Sequence, residues 1–102
     1  MTLLSREKKS LRQIAHHLDA VVTIGDQGLT EGVTQETLRA LKDHELIKVK
    51  LAGADKDARQ TMANTLADSC NAEIVQSIGK IVVLYRENRR ANPKLSNVKK
   101  FA

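Results

Sequence analysis

Aromatic side chains are almost missing from this 102-residue chain: Tyr85 and Phe101 are the only two, and there is no tryptophan. Recognition by stacking bases on exposed rings, as an RRM-type sheet does, therefore cannot be its main mode of contact. Cysteine occurs once, at Cys70, so no internal disulfide can close, and a reducing, cytoplasmic compartment is expected. No stretch approaches the roughly 20 apolar residues that cross a bilayer. The first residues, "MTLLSREKK", also lack the basic-then-apolar order of a secretory signal, so no membrane partner is expected. A nucleophile-base pair and a Walker glycine-lysine-serine run are absent too, and the chain reads as no enzyme, with no cofactor implied.

What is present is an ordinary globular balance, 41% hydrophobic and 28% charged, in a chain long enough for one core. The net charge of +5 is unevenly placed. Through Tyr85 the charges balance, whereas the remainder carries Arg86, Arg89, Arg90, Lys94, Lys99 and Lys100 against Glu87 alone. A second basic cluster, Lys8, Lys9 and Arg12 with Arg6, lies near the start. Two basic ends flanking a mildly acidic body are the footprint of a polyanion binder, although a charge run is also what a solvated face looks like.

Ser5 is a plausible cap for a first helix whose apolar stripe is Leu11, Ile14, Ala15 and Leu18, leaving Lys8, Lys9 and Arg12 elsewhere. "VVTI" (21–24) predicts a short strand, and Thr30 with Glu31 opens a second helix. "LIKVKL" (46–51) alternates, with Lys48 and Lys50 on the face opposite Ile47, Val49 and Leu51. Those lysines either meet a ligand on the sheet or keep an edge strand soluble, and the edge or solvent reading is preferred. A third helix follows from about Asp55 to Ser69, stopped by Asn71. Two final strands join at Gly79-Lys80, the signature of a II′ hairpin. The expected fold class is α/β, a single domain with a mixed four-stranded sheet and three helices. Each strand-helix-strand step should cross right-handed to a parallel neighbour. Residues 87–102, interrupted by Pro93, show no periodicity and read as a basic tail without a core of its own, after a domain spanning 1–86.

The other titratable groups have plain readings. His16 and His17 are adjacent and so point apart on a helix, which argues against a metal site. His44 reads as a packing or capping group, Cys70 as a small buried apolar one, and Tyr85 as a core residue with its hydroxyl at the rim.

"GDQG" (25–28) sits between a strand and a helix start, where main-chain N–H groups can converge on an anion and glycine lets a phosphate approach. Turn geometry alone also accounts for two glycines there. "GDQGLTEGV", "HELIKVKL" and "QSIGKIVVLYR", in this order, resemble the bacterial single-domain members of the CRM family, the YhbY-like RNA-binding proteins, over about residues 3–86. The resemblance implies a fold similar to the C-terminal domain of translation initiation factor three, with a GxxG loop like that of KH domains. It implies RNA as partner, through precursors of the large ribosomal subunit, hence a role in ribosome biogenesis. Gly25, Asp26, Gln27 and Gly28 would form the RNA-facing loop, Lys8, Lys9 and Arg12 a second contact surface. From charge alone, Arg86, Arg89 and Arg90 join the RNA-binding set. Asp26 departs from what a phosphate loop wants: it either turns away to close the turn or weakens the anchor. The rival reading is a protein-interaction adaptor whose basic tail docks an acidic partner.

Overall fold

Caps and β-branched runs place the elements seen in a computed structural model, which describes residues 3–53 and 55–99. They run α1 (Ser5–Ala15), β1 (Ala20–Ile24), α2 (Glu31–His44), β2 (Leu46–Leu51), α3 (Lys56–Ser69), β3 (Glu73–Ile78) and β4 (Ile81–Tyr85). Thr30 caps α2, its hydroxyl accepting from the Val33 N–H at 3.2 Å, and the Asp55 carboxylate caps α3 through the Ala58 N–H at 2.8 Å. Ser5 is not a cap. It is the first helical residue, and Glu7 instead reaches back to the Leu4 N–H at 2.9 Å. Asn71 ends α3 in a left-handed conformation, φ 53°, as an asparagine stop should. Lys100 and Phe101 lie outside the described residues.

The four strands form one mixed sheet in the order β1-β2-β4-β3. β1 and β2 are parallel, and β4 pairs antiparallel with both β2 and β3. Two expectations are corrected by this order. β3 does not become a neighbour of β2, because the hairpin inserts β4 between them and so pairs both edges of β4. β2 is consequently an interior strand, and Lys48 and Lys50 are not edge lysines.

α2 and α3 cover one sheet face, where Val22, Ile24, Ile47, Val49, Leu51, Val82 and Leu84 pack with Leu41 and Leu66. Each such side chain contributes about 1.5–3 kcal/mol on burial. α1 covers part of the opposite face, setting Leu11 and Ala15 on Leu46, Val75 and Val83. It leaves uncovered the sheet's other half, where β1 and β2 end and the β3–β4 hairpin turns. The Ala52 N–H donating to the Ile24 carbonyl (2.9 Å) and the Leu51 N–H donating to the Lys80 carbonyl (2.7 Å) tie these turns into one end of the molecule.

At the opposite end the segment after β4 folds back. Glu45, the residue closing α2, is 2% exposed and has φ 60°. Its carboxylate accepts from the Ser96 hydroxyl (2.7 Å), the Lys99 ammonium (2.6 Å) and the Asn88 N–H (2.7 Å). The side chain of Asn88 donates to the Lys42 carbonyl, that of Asn97 to the Leu46 carbonyl, and His44 Nδ1 to the Leu95 carbonyl at 2.8 Å. Val98 packs on the α1 side of the sheet, and Ala91 and Ser96 are buried. The segment read above as a basic tail without a core of its own thus docks on the domain. It is anchored by polar groups around the end of α2 and the start of β2, and hydrophobic periodicity cannot register such an anchor.

Burial alone would raise the Glu45 pKa, but the hydrogen bonds from Lys99, Asn88 and Ser96, with the Lys99 charge, hold it below the usual 4.5. A carboxylate with a depressed folded pKa contributes stability above its unfolded pKa and loses it as pH falls through the folded value. Glu45→Ala should cost about 2–4 kcal/mol at neutral pH, since it strands buried donors. In thermal melts the gap between parent and variant should narrow as the pH drops below roughly 4. Deleting residues 88–102 should lower the melting temperature by roughly 10 °C or more, at 4–8 °C per kcal/mol for a domain of this size; an unchanged melt would mean the segment is not docked.

Candidate nucleic-acid interface

The GDQG stretch is an exposed turn between β1 and α2, closed by the Gly28 N–H donating to the Gly25 carbonyl at 3.0 Å. The two glycines serve different needs. Gly28 has φ +69°, a conformation that side chains disfavour, whereas Gly25 lies outside that region. A Cβ added at either would meet nothing within 4 Å, so no other part of the described chain crowds the turn. Among the described residues the main-chain N–H groups of Asp26 and Gln27 have no protein partner. The N-terminus of α2, a helix of 14 residues, opens directly beyond, with Thr30 already capping it. Asp26 Oδ1 stands 2.6 Å from where a Cβ on Gly53 would lie, so its carboxylate leans on the neighbouring β2–α3 turn.

The helix-one cations do not act as one group. Lys8 precedes Leu11 and Ala15 by three and seven residues, which puts it near the buried stripe, and it is half-buried. Lys9, Arg12 and His16 form the flank of α1 that faces the uncovered half of the sheet. Between that flank and the sheet runs an open cleft of about 770 Å³, with Lys48 on its sheet wall and Ile78, Ile81 and Val83 beneath. No carboxylate lines it among the described residues. Lys48 was weighed as a ligand contact and set aside, and the two isoleucines were not singled out; the alternation in "LIKVKL" already sets Lys48 on the face away from α2 and α3, but the position of α1 over that face is not written in any local pattern.

Arg86, Arg89 and Arg90 follow β4 and stand at the opposite end of the sheet from the GDQG turn. Arg86 donates to the Cys70 carbonyl at 3.3 Å, closing the end of α3, and Arg89 pairs with Glu87 at 3.5 Å on the surface. The cleft there, about 490 Å³, carries Asp68, Glu73 and Glu87 beside Arg86, a poor match for a polyanion. Burial pushes the Cys70 thiol up, with Arg86 opposing, which leaves it a buried thiol rather than a nucleophile. Burial likewise raises the Tyr85 hydroxyl, packed against the α1 side of the sheet. His16 and His17 meet edge-on, ring centroids 5.5 Å apart, and no group of three metal-binding side chains forms among the described residues.

Comparison with known proteins gives a consistent answer. The chain is 47% identical over 102 residues to a Pseudomonas aeruginosa protein named as a probable RNA-binding protein, covering 100% of this chain and 98% of the relative. A Haemophilus influenzae RNA-binding protein is 48% identical over 94 residues, covering 92% and 95%. The solution structure of a hypothetical Staphylococcus aureus protein superposes with a TM-score of 0.78 at 33% identity, covering 89% of this chain and 95% of that one. The family model of the CRS1 / YhbY (CRM) domain matches residues 3–86. The chain belongs to the CRS1 / YhbY (CRM) domain family.

Proposed function

We propose that this protein binds ribosomal RNA during assembly of the large ribosomal subunit, using the GDQG turn and the Lys9–Arg12 flank of α1, and that it catalyses no reaction. The observation that carries the reading is the gathering of an uncrowded glycine turn and a cationic, carboxylate-free flank toward one end of one sheet. Relatives named as RNA-binding proteins over nearly their whole length support the partner class. The ribosomal target comes from the resemblance of the three motifs quoted above. With Tyr85 half-buried, contact falls to phosphates, riboses and shape. A reducing, cytoplasmic setting fits a lone buried thiol.

Binding to a folded ribosomal RNA fragment should weaken with salt, each phosphate contact adding about 0.7–0.9 to the log–log slope. Poly-U should bind more weakly than the fragment. Equal affinity for the two, or binding to neither, would contradict this reading, and a complex with an acidic protein in place of RNA would favour the adaptor reading instead.

The turn has its own test. Gly25→Asp adds a charge where the backbone is unstrained and the space is open. One charge contact at a partly solvated site is worth on the order of 1 kcal/mol. Gly25→Asp should therefore weaken RNA binding by roughly fivefold at low salt, and Asp26→Lys should strengthen it by a similar factor, both with parental melting curves. Two well-folded variants that bind as the parent does would reduce GDQG to a structural turn.

A further inference from the structure

The cleft between α1 and the open half of the sheet is neither a simple basic surface nor an apolar pocket. Lys9 and Arg12 on one wall and Lys48 on the other bracket a strip of Ile78, Ile81 and Val83, and Ile78 is 59% exposed. An isoleucine left this open on a sheet face has uncompensated contact with water, and three cations around it with no carboxylate among the described lining residues repel one another when the cleft is empty. Both features are relieved by one kind of occupant: a ligand with negative charge along its edge and a flat, weakly polar face within. A paired RNA helix does not fit that description, since it turns phosphates and riboses outward and keeps its base faces stacked inside. An unpaired nucleotide does.

Building on the RNA-binding reading above, we propose that this cleft holds an unpaired segment of a folded RNA, a loop or bulge. Its phosphates lie against Lys9, Arg12 and Lys48, and a base or ribose face lies on Ile78 and Ile81. The volume of about 770 Å³ is within the range of sites that enclose small organic ligands. Aliphatic side chains here take the place that aromatic rings hold in stacking proteins, which makes the contact tolerant of base identity. The cleft thereby gives the protein a preference for RNA that is folded but interrupted, with the GDQG turn free to meet the flanking backbone.

The test uses the full chain, an RNA hairpin with an unpaired loop, and a fully paired duplex of the same stem. Lys48→Gln should weaken hairpin binding several-fold and make the salt slope shallower by about 0.7–0.9, the signature of one lost phosphate contact. Ile78→Gln, at an exposed position that leaves the core intact, should weaken hairpin binding while leaving the slope and the duplex affinity unchanged. If both variants bind the hairpin as the parent does while Gly25→Asp weakens it, the protein binds RNA but not in this cleft, and the proposal is overturned. Polyglutamate displacing the hairpin at equal charge concentration would put an acidic polypeptide in the cleft and overturn it as well. Failure of the parent to bind either RNA would remove the RNA-binding reading itself.

Discussion

The end of the sheet away from the GDQG turn is organised around one carboxylate. Glu45 closes α2 with φ 60° and ψ −41°, outside even the left-handed well that glycine and asparagine favour. Such a backbone costs on the order of 1–3 kcal/mol. The conformation persists because it points the side chain inward, where three donors from the returning chain meet it, and because the Glu45 carbonyl takes the Arg86 N–H at 2.9 Å as β4 ends. Helix end, strand start and C-terminal segment are thus fixed by the same residue. A glycine there would relax the backbone and lose the clasp.

With that end clasped, the open surface lies at the other. α2 and α3 pack on one face and α1 alone packs on the other, and α1 is 11 residues long. A helix of that length, at 1.5 Å per residue, cannot blanket four strands. The uncovered half is where Lys48 and Lys50 emerge from an interior strand, flanked by Val21 and Thr23 on β1. The clasp also spends positive charge. Lys99 is neutralised by Glu45, and Arg86 is turned to the end of α3, so the net charge that the sequence concentrates after Tyr85 is only partly available to a partner.

Much of this was legible in local pattern. β-branched "VVTI", the alternation of "LIKVKL" and the helix starts read at Thr30 and about Asp55 place their elements within a residue, because each signal lies in or beside the element it specifies. Strand order was not legible, since the position of β4 between β2 and β3 is settled by which partner a hairpin finds. Nor was the clasp: Ser96 and Lys99 lie 51 and 54 residues from Glu45, and "ENRRANPKLSN" resembles a solvated linker. The candidate site divides the same way. The turn and its glycines were readable, the pairing of Arg12 with Lys48 across a cleft was not, and Lys8 looks equivalent to Lys9 until its helical phase is set beside that of Leu11.

If the protein binds RNA as proposed, one end and one face of the sheet meet it. Amide chemical shifts of the isotope-labelled protein, followed during titration with a folded ribosomal RNA fragment, test it residue by residue. Perturbations are expected at Gly25 through Gly28, Lys9, Arg12 and Lys48, with α3 silent. Perturbations confined to α3 and to Arg86 through Arg90 would contradict it.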